Sequence, residues 1–348
     1  MRPHVLVVRL DNDGDVLLSG PAVRAVAAGA GRVTLLCGPR GAGAAALLPD
    51  VDDIVVHRAP WIDPDAPPVS RETTLALVEC LGELGVDQAF VLTSFHQSAL
   101  PTALLLRLAG VRTVAAVSED YPGSLLDVRH HRHDELHEVE QSLALVATLG
   151  YRLPAGDDGR LRVQRGGRGR VSPPPSPGWS SYVVVHPGAS VPARAWEPEH
   201  NAVLVDALVA DGRRVVVTGS REERHLTSQV AGPPRPEVVD LGGRTDLPEL
   251  AEVLAGADVV VVGNTGPAHL AAAVATPVVS LFAPTVPARW WRPWGVPHVL
   301  LGQQDIGCAG CRARHCPMAG HPCLSSVGVD EVLAAVRQLA PVQAASLG

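Results

Sequence analysis

Residues Val259–Arg289 read VVVVGNTGPAHLAAAVATPVVSLFAPTVPAR, and this stretch decides the fold. The opening valine run is the pattern of a β-branched strand buried on both faces. Gly263-Asn264-Thr265-Gly266-Pro267 turns the chain, and the small residues from about Ala268 to Val274 continue as a helix. A second apolar run, Pro277 to Phe282, follows at once. The unit is therefore strand, glycine turn, helix and parallel strand, with a ligand crevice at the first strand's carboxyl end. Thr265 and the free N–H groups of the first helical turn face that crevice, and a helix start of this kind favours anions.

Length and composition limit what the crevice can belong to. At 348 residues the chain exceeds the usual single core, so two domains are expected. A net charge of -7 and a pI near 6.0 argue against a chain that coats nucleic acid or an anionic bilayer. There is no lysine, so every fixed cation is arginine, which points to a GC-rich genome. That excludes Schiff-base and lysine-phosphate chemistry and leaves arginine, backbone or helix dipole for any phosphate clamp. No segment approaches the roughly 18 to 20 apolar residues of a membrane span, and the start lacks a signal-peptide cleavage region. A cytoplasmic protein is expected. Cys37 and Cys80 read as isolated small core residues, and the other cysteines crowd into one late segment, which does not suit a disulfide scaffold.

Outward from the central stretch, strand-turn-helix units repeat. His4 to Leu10 is a buried strand, Asp11-Asn12-Asp13-Gly14-Asp15 a polar turn, and Val16 to Ala28 has helical spacing. This order places Asp15 near the carboxyl edge of a sheet, where ligands bind. The plainer alternative is that Asp11, Asn12 or Asp13 only caps the helix. Strands follow at Arg32 to Cys37, Asp53 to His57 and Gln88 to Leu92. Helices are expected up to Leu48, over Thr73 to Leu84 and over Ser98 to Leu108. In RHHRHDELHEVE, residues 129–140, His133 and His137 stand four apart on an expected helix, but the pattern is not HExxH. Structural or solvated histidines are the favoured reading, with donor or acceptor contact the alternative, and His137 the one to watch.

Residues 166–180 are Arg/Gly-rich and then Pro/Ser-rich, the composition of an interdomain linker. The short RGG-like run lacks interleaved aromatics in an acidic chain, so no nucleic-acid partner is inferred. The second half restarts the pattern. Tyr182 to Val185 is a strand before His186-Pro187-Gly188-Ala189-Ser190, and a helix runs from about Glu199 to Ala210. Arg213 to Thr218 is a strand, with Glu222 and Glu223 expected in the first turn of the next helix. Val238 to Asp240 is a short strand, Leu247 to Leu254 a helix, and Val329 to Leu339 a last helix that Asp330 can cap. The domains are read as 1–165, a linker at 166–180, 181–328, and a C-terminal helix and tail at 329–348. Fold class is α/β, with two Rossmann-like doubly wound domains and a cleft between them.

The late segment holds Cys308, Cys311, Cys316 and Cys323, with His315 and His321 among them. The spacing suits four thiolates on zinc or, less well, an iron–sulfur cluster. Reduced cysteines packing a surface loop are the alternative. A metal held by four thiolates has no open position and would be structural.

Together, VLVVRLDNDGDVLLSGPAVRAV at residues 5–26, HPGASVPARAW at 186–196, the run from Asp240 to Thr285 and the cysteine cluster resemble the heptosyltransferase family, glycosyltransferase family 9, of the GT-B fold. The resemblance covers nearly the whole chain in order. It implies inverting transfer of a heptose from an ADP-sugar to an acceptor hydroxyl, with no metal or other cofactor required for catalysis. Asp15 matches the carboxylate that acts as general base. The donor diphosphate and sugar would lie against Thr265, Gly266, Pro267 and Ala268, with Arg194 as the cation; His269, in the first turn of that helix, is read as a phosphate or sugar contact, with simple packing the alternative. Glu222 is the candidate for the donor ribose, since a carboxylate accepts from both hydroxyls; the alternative is an acidic first turn complementing the helix dipole.

The chain departs from the family pattern at three points. Arg194 stands where HPGASxPAKRW has lysine, and Ala195 replaces the following arginine. Asn264 stands where aspartate is common, which keeps hydrogen bonding to sugar but gives up the charge. The implied partners are a nucleotide-sugar donor and a glycan or small-molecule acceptor. The family's usual target is lipopolysaccharide core, and a cell-envelope glycan or secondary metabolite fits this composition equally; a lipid-linked acceptor would bring peripheral membrane contact. The competing reading is a catalytically silent sugar-nucleotide binding or scaffold protein, motivated by Asn264, Ala195 and the missing lysines. Another GT-B enzyme, such as a sugar-nucleotide epimerase, fits the four motifs less well.

Overall fold

The computed structural model describes residues 2–63, 65–165 and 179–341. The linker reading therefore falls largely outside the described residues, as does the tail from 342. The chain divides into two compact units, Met1–Gln164 and Arg165–Gly348.

In the first unit the order is β1 (His4–Arg9), α1 (Asp13–Gly29), β2 (Arg32–Cys37), α2 (Ala42–Ala45), β3 (Asp53–Val56), α3 (Arg71–Glu83), β4 (Gln88–Val91), α4 (Leu100–Leu108), β5 (Thr113–Val117), β6 (Val128–His130) and α5 (Glu138–Ala147). The strands form one parallel sheet in the order β3-β2-β1-β4-β5-β6. Central β1 is buried almost throughout, because α1 and α5 cover one face and α3 and α4 pack together with the other. Each fully buried Val or Leu in such a layer contributes roughly 1.5–3 kcal/mol.

In the second unit the order is β7 (Val183–His186), α6 (Pro198–Ala210), β8 (Val215–Val217), α7 (Arg224–Ala231), β9 (Val238–Asp240), α8 (Leu247–Ala255), β10 (Val259–Gly263), α9 (Gly266–Ala273), β11 (Val278–Leu281), α10 (Ala288–Trp291), β12 (His298–Leu301), α11 (Pro322–Ser325) and α12 (Val329–Leu339). Its sheet is also parallel, in the order β12-β11-β10-β7-β8-β9. The valine runs of β7, β8 and β10 pair in register and are buried on both faces.

Both sheets reverse their strand order at one point, between β1 and β4 in the first and between β7 and β10 in the second. Ligands of doubly wound sheets bind beyond the strand ends at this switch point. The sequence places the Asp-rich turn there in one unit, and His186-Pro187-Gly188 with Gly263-Asn264-Thr265 there in the other.

Several local expectations are corrected. His133 and His137 do not share a helix: His133 lies in a turn, and His137 is the N-cap of α5. Its ring nitrogen accepts from Val139 N while Glu140 accepts from His137 N, so the histidine closes a capping box. Glu222 and Glu223 precede α7 rather than opening it, with Glu223 at the N-cap. The N-cap of α12 is Gly328, and Asp330 sits inside the first turn. That helix packs on α6, and its apolar face is spent in the core of the second unit. Asn12 caps α1 without a side-chain bond, while the Asp13 carboxylate accepts from Ala44 N at the start of α2.

Candidate functional site

In the first unit the site is built on Arg9, the last residue of β1, which is only 2% exposed. Its Nη2 donates to Asp15 Oδ1 at 2.9 Å and to Ser94 Oγ at 3.0 Å. Its Nε lies 2.9 Å from Asp11 Oδ2, an ion pair out of line for a hydrogen bond, and its Nη1 is 3.5 Å from Glu138 Oε2. The Gln97 amide donates to the other Asp11 oxygen, and its own carbonyl accepts from Ser94 N at 3.0 Å. Arg132 in turn lies 2.7 Å from Glu138 Oε1. Burial works against the Arg9 charge, but Asp11, Asp15 and Glu138 outweigh it, so the guanidinium binds its proton more tightly than usual. Burial, with the neighbouring Asp15 and Glu138, pushes the Asp11 carboxyl up to about 6 against the pull of Arg9. The Asp15 side chain is 18% exposed, against 8% for Asp11 and 3% for Glu138. Of these three carboxylates, Asp15 is the one with an open face.

In the second unit β10 ends at Gly263, and Thr265 is the N-cap of α9, with no side-chain capping bond. The Thr265 hydroxyl and Asn264 Oδ1 are buried without a hydrogen-bond partner, while Asn264 Nδ2 donates to Ala283 O at 3.3 Å. Buried polar atoms are normally paired, so these two oxygens mark a place where a ligand can complete the set. Pro267 has no N–H to leave unpaired in this first turn, and Ala268 N bonds back to Thr265 O at 3.0 Å. Arg194 ends a short 3-10 turn, Pro192–Arg194, and its Nε donates to Thr285 Oγ1 at 3.2 Å. A Cβ on Gly263 would stand 2.7 Å from the carbonyl oxygen of Arg194, so only glycine lets that turn approach the end of β10 so closely. His269 is buried in the first turn of α9.

Glu222 is exposed, and its carboxyl lies below the usual range because its own backbone N–H and the Ser220 hydroxyl bond to it. Glu223 instead turns over Gly188, where any Cβ would collide with its carboxylate, and accepts from Ser220 N at 2.8 Å. It is the acidic residue beside the β7 end. His186 is buried there, held neutral by burial against the pull of Glu223, with Nδ1 2.9 Å from Thr218 Oγ1.

The cysteine loop is joined to both segments that carry Arg194 and Thr285. Gly310 N donates to Pro284 O at 2.7 Å, Arg312 N to Thr285 O at 3.0 Å, and Ala193 N to Arg314 O at 3.1 Å. His321 Nε2 is 3.1 Å from Ala193 O. Cys308, Cys311, Cys316, Cys323 and His321 all line one cavity of about 10 Å³, room for a single small sphere. Burial, then the three neighbouring thiols, push the Cys323 thiol up to about 11. All four cysteines are free thiols, and among the described residues no group of three or more His, Cys, Asp or Glu side chains is arranged to hold a metal ion. The shared cavity suits a thiophilic ion in its donor set, and ligation would need the thiols to stand closer together than they do here.

The structure thus brings Arg194, Asn264, Thr265, Gly266, Pro267, Ala268 and His269 together around the β10 end, and sets Asp15 at the β1 end of its own unit. Sequence reasoning passed over Arg9 and Glu138, read Asp11 only as a possible helix cap, and ranked Glu222 ahead of Glu223. An arginine ending an apolar strand was the one available signal for Arg9.

Residues 75–321 match the family model described as glycosyltransferase family 9 (heptosyltransferase). The lipopolysaccharide heptosyltransferase 3 of Escherichia coli is 32% identical over 164 residues, which is 46% of this chain and 47% of that protein. The chain thus spans about half the length of the curated relatives it matches first. Among solved structures, the E. coli heptosyltransferase WaaC with ADP-2-deoxy-2-fluoro heptose superposes with a TM-score of 0.70 at 22% identity, covering 96% of this chain and 99% of that one. The iron-containing dodecameric glycosyltransferase TibC of enterotoxigenic E. coli gives 0.56 at 15% identity, covering 97% and 76%. These likenesses establish the fold: two parallel α/β units of the GT-B type. No helix among the described residues is long and apolar enough to cross a membrane.

Proposed function

The chain belongs to glycosyltransferase family 9, and from that premise we propose that it transfers a heptose-like sugar, with inversion and without a catalytic metal, from a nucleotide-diphosphate sugar to an acceptor hydroxyl. ADP-heptose is the foremost donor, in keeping with the ADP-sugar bound to the related WaaC. The observation that carries this reading is the part-exposed Asp15 carboxylate, anchored through one oxygen on a buried arginine. The free side of such a carboxylate can take a proton.

In the proposed reaction the acceptor oxygen attacks the anomeric carbon while Asp15 takes its proton. The bond from that carbon to the diphosphate oxygen breaks, and the electron pair leaves with the nucleoside diphosphate. Arg194, the Thr265 hydroxyl and the positive end of α9 offset the charge that develops there. Arginine in place of the family lysine adds a two-pronged phosphate contact. Asn264 and His269 are assigned to the donor sugar and phosphate. The ribose falls to the Glu222–Glu223 pair, with Glu223 the better placed at the strand end. The acceptor is a cell-envelope glycan of the kind named for the relatives, or a secondary metabolite, met in the cytoplasm; a lipid-linked acceptor would bring the protein to a membrane surface. Cys308, Cys311, Cys316 and Cys323 are assigned a structural zinc that holds the loop bonded to Ala193 and Thr285.

The test is release of nucleoside diphosphate from a panel of ADP-, GDP- and UDP-sugars, with and without acceptors. Asp15→Asn is expected to abolish turnover while ADP binding, followed by calorimetry, persists. Unchanged turnover in that variant removes Asp15 from the mechanism. Asn264 and Ala195 favour one second reading, a sugar-nucleotide binding protein without turnover. Persistent donor binding with no product on any acceptor would select it.

A further inference from the structure

We propose that Arg9 is the positioning residue for Asp15, and that Asp11 and Glu138, which share its guanidinium, form with Asp15 one ion cluster whose charge governs turnover. The inference rests on the reading of Asp15 as the base. Each face of the guanidinium is committed: Nη2 to Asp15 and Ser94, Nε to Asp11, and Nη1 to Glu138. The groups that meet Arg9 come from three parts of the first unit, while β2, paired beside it, brings only Cys37, whose thiol burial keeps protonated. Asp11 and Asp15 belong to the turn and start of α1, Ser94 and Gln97 to the segment after β4, Glu138 to the start of α5, and Arg132 to the turn before it. Asp13 lies in the same turn but spends its carboxylate on Ala44 N, and His137 spends a ring nitrogen on Val139 N.

The charges do not cancel. Asp11, Asp15 and Glu138 face Arg9 and Arg132, so with all five ionised the cluster carries one excess negative charge. Proton transfer from the acceptor to Asp15 brings the cluster to neutrality, which favours the transfer in a buried setting. If Asp11 is already protonated, neutrality has been reached before the reaction and that advantage is gone. Burial pushes Asp11 up to about 6, so it changes state just below neutral pH. Because the groups interact closely, the ionisation seen in kinetics belongs to the cluster rather than to one residue.

This predicts that turnover falls as pH drops through about 6. The experiment follows ADP release from ADP-heptose between pH 5 and 8.5, with water as the standing acceptor, alongside melting curves. Asp11→Asn fixes the cluster in its neutral count: its rate above pH 7 is expected to be roughly threefold to tenfold below wild type, without the step near 6 and with the donor KM unchanged. Glu138→Gln is expected to move the rate the same way and serves if the first variant folds poorly. Arg9→Lys, too short to span three carboxylates, lowers kcat at unchanged KM. A wild-type plateau with an intact step near pH 6 in Asp11→Asn overturns the inference. An inactive Asp15→Asn beside an unaltered Asp11→Asn sinks the cluster alone. A fully active Asp15→Asn, or no ADP release by wild type at any pH with water or any acceptor tried, sinks the base reading on which it stands.

Discussion

Replacing Gly263 by alanine tests whether the end of β10 and the Arg194 turn act together. The added Cβ would stand 2.7 Å from the Arg194 carbonyl oxygen, against the 3.4 Å at which ordinary contact begins. The obstacle is backbone, so no side chain can swing aside, and the Pro192–Arg194 turn must retreat by several tenths of an ångström. Overpacking of this kind costs about 1–3 kcal/mol, which in a unit of this size lowers the melting midpoint by roughly 2–12 °C. On the proposed placement of the donor, the same retreat would draw the guanidinium away from the diphosphate. Charge-assisted hydrogen bonds contribute about 1.5–3 kcal/mol, so ADP affinity is expected to fall about tenfold to a hundredfold by calorimetry. In an Arg194→Ala background the affinity loss from the glycine change should vanish while the stability loss remains. Native ADP affinity in Gly263→Ala, or equal affinity losses in both backgrounds, would refute the coupling.

Arg24 and Asp157 form a buried pair with bonds of 2.7 and 3.0 Å, and Arg24 also donates to Arg160 O, tying the 150s segment to α1. Arg24→Ala takes away the two-bond partner of the carboxylate, leaving it Gly159 N and Arg162 at 3.7 Å, and is expected to cost about 3 kcal/mol in urea denaturation. Arg24 holds the Asp157 carboxyl down at about 2, so its contribution is complete above about pH 4 and is lost as pH falls towards 2; Asp157→Asn should flatten that part of the stability profile. His137→Ala removes a capping box and should cost about 1 kcal/mol in the same assay, with turnover scarcely changed. Elemental analysis of protein purified without chelator should find about one zinc or iron per chain, lost together with thermal stability in a Cys308→Ser, Cys311→Ser double variant; metal-free wild type of equal stability would refute the structural ion.

The central strands were legible because both faces of a covered parallel sheet demand apolar side chains, and the runs at Val5–Val8, Val183–Val185 and Val259–Val262 announce that directly. Other strands were harder. β6, Val128-Arg129-His130, is half-buried along its length and carries too little apolar pattern to be read, while β5 and β12 are short apolar runs of four or five residues that went unread because such runs do not separate strand from helix by periodicity. The Thr265–His269 helix start could be read because glycine and proline punctuate a helix locally. The surroundings of Asp15 could not, since Glu138 reaches Arg9 from the far end of the unit and no local spacing encodes that approach. Choosing between Glu222 and Glu223 depended on which side of the Gly219-Ser220 bend each one emerges, a matter of backbone direction rather than residue type. The His133–His137 spacing misled because four residues apart implies one helical face only if the helix has already begun, and here it begins at the second histidine.

The shared guanidinium of Arg9 also bears on how this sequence can drift. Removing one member of a buried ion cluster strands the charge of another, at about 3–5 kcal/mol, a large part of what keeps a domain folded. Positions 9, 11 and 138 are therefore expected to change in concert across descendants of a common ancestor, through exchanges that conserve the charge count. Lineages that lose the acid at 11 should show a compensating loss of charge elsewhere in the same set, leaving an inherited signature that an alignment of orthologues can reveal.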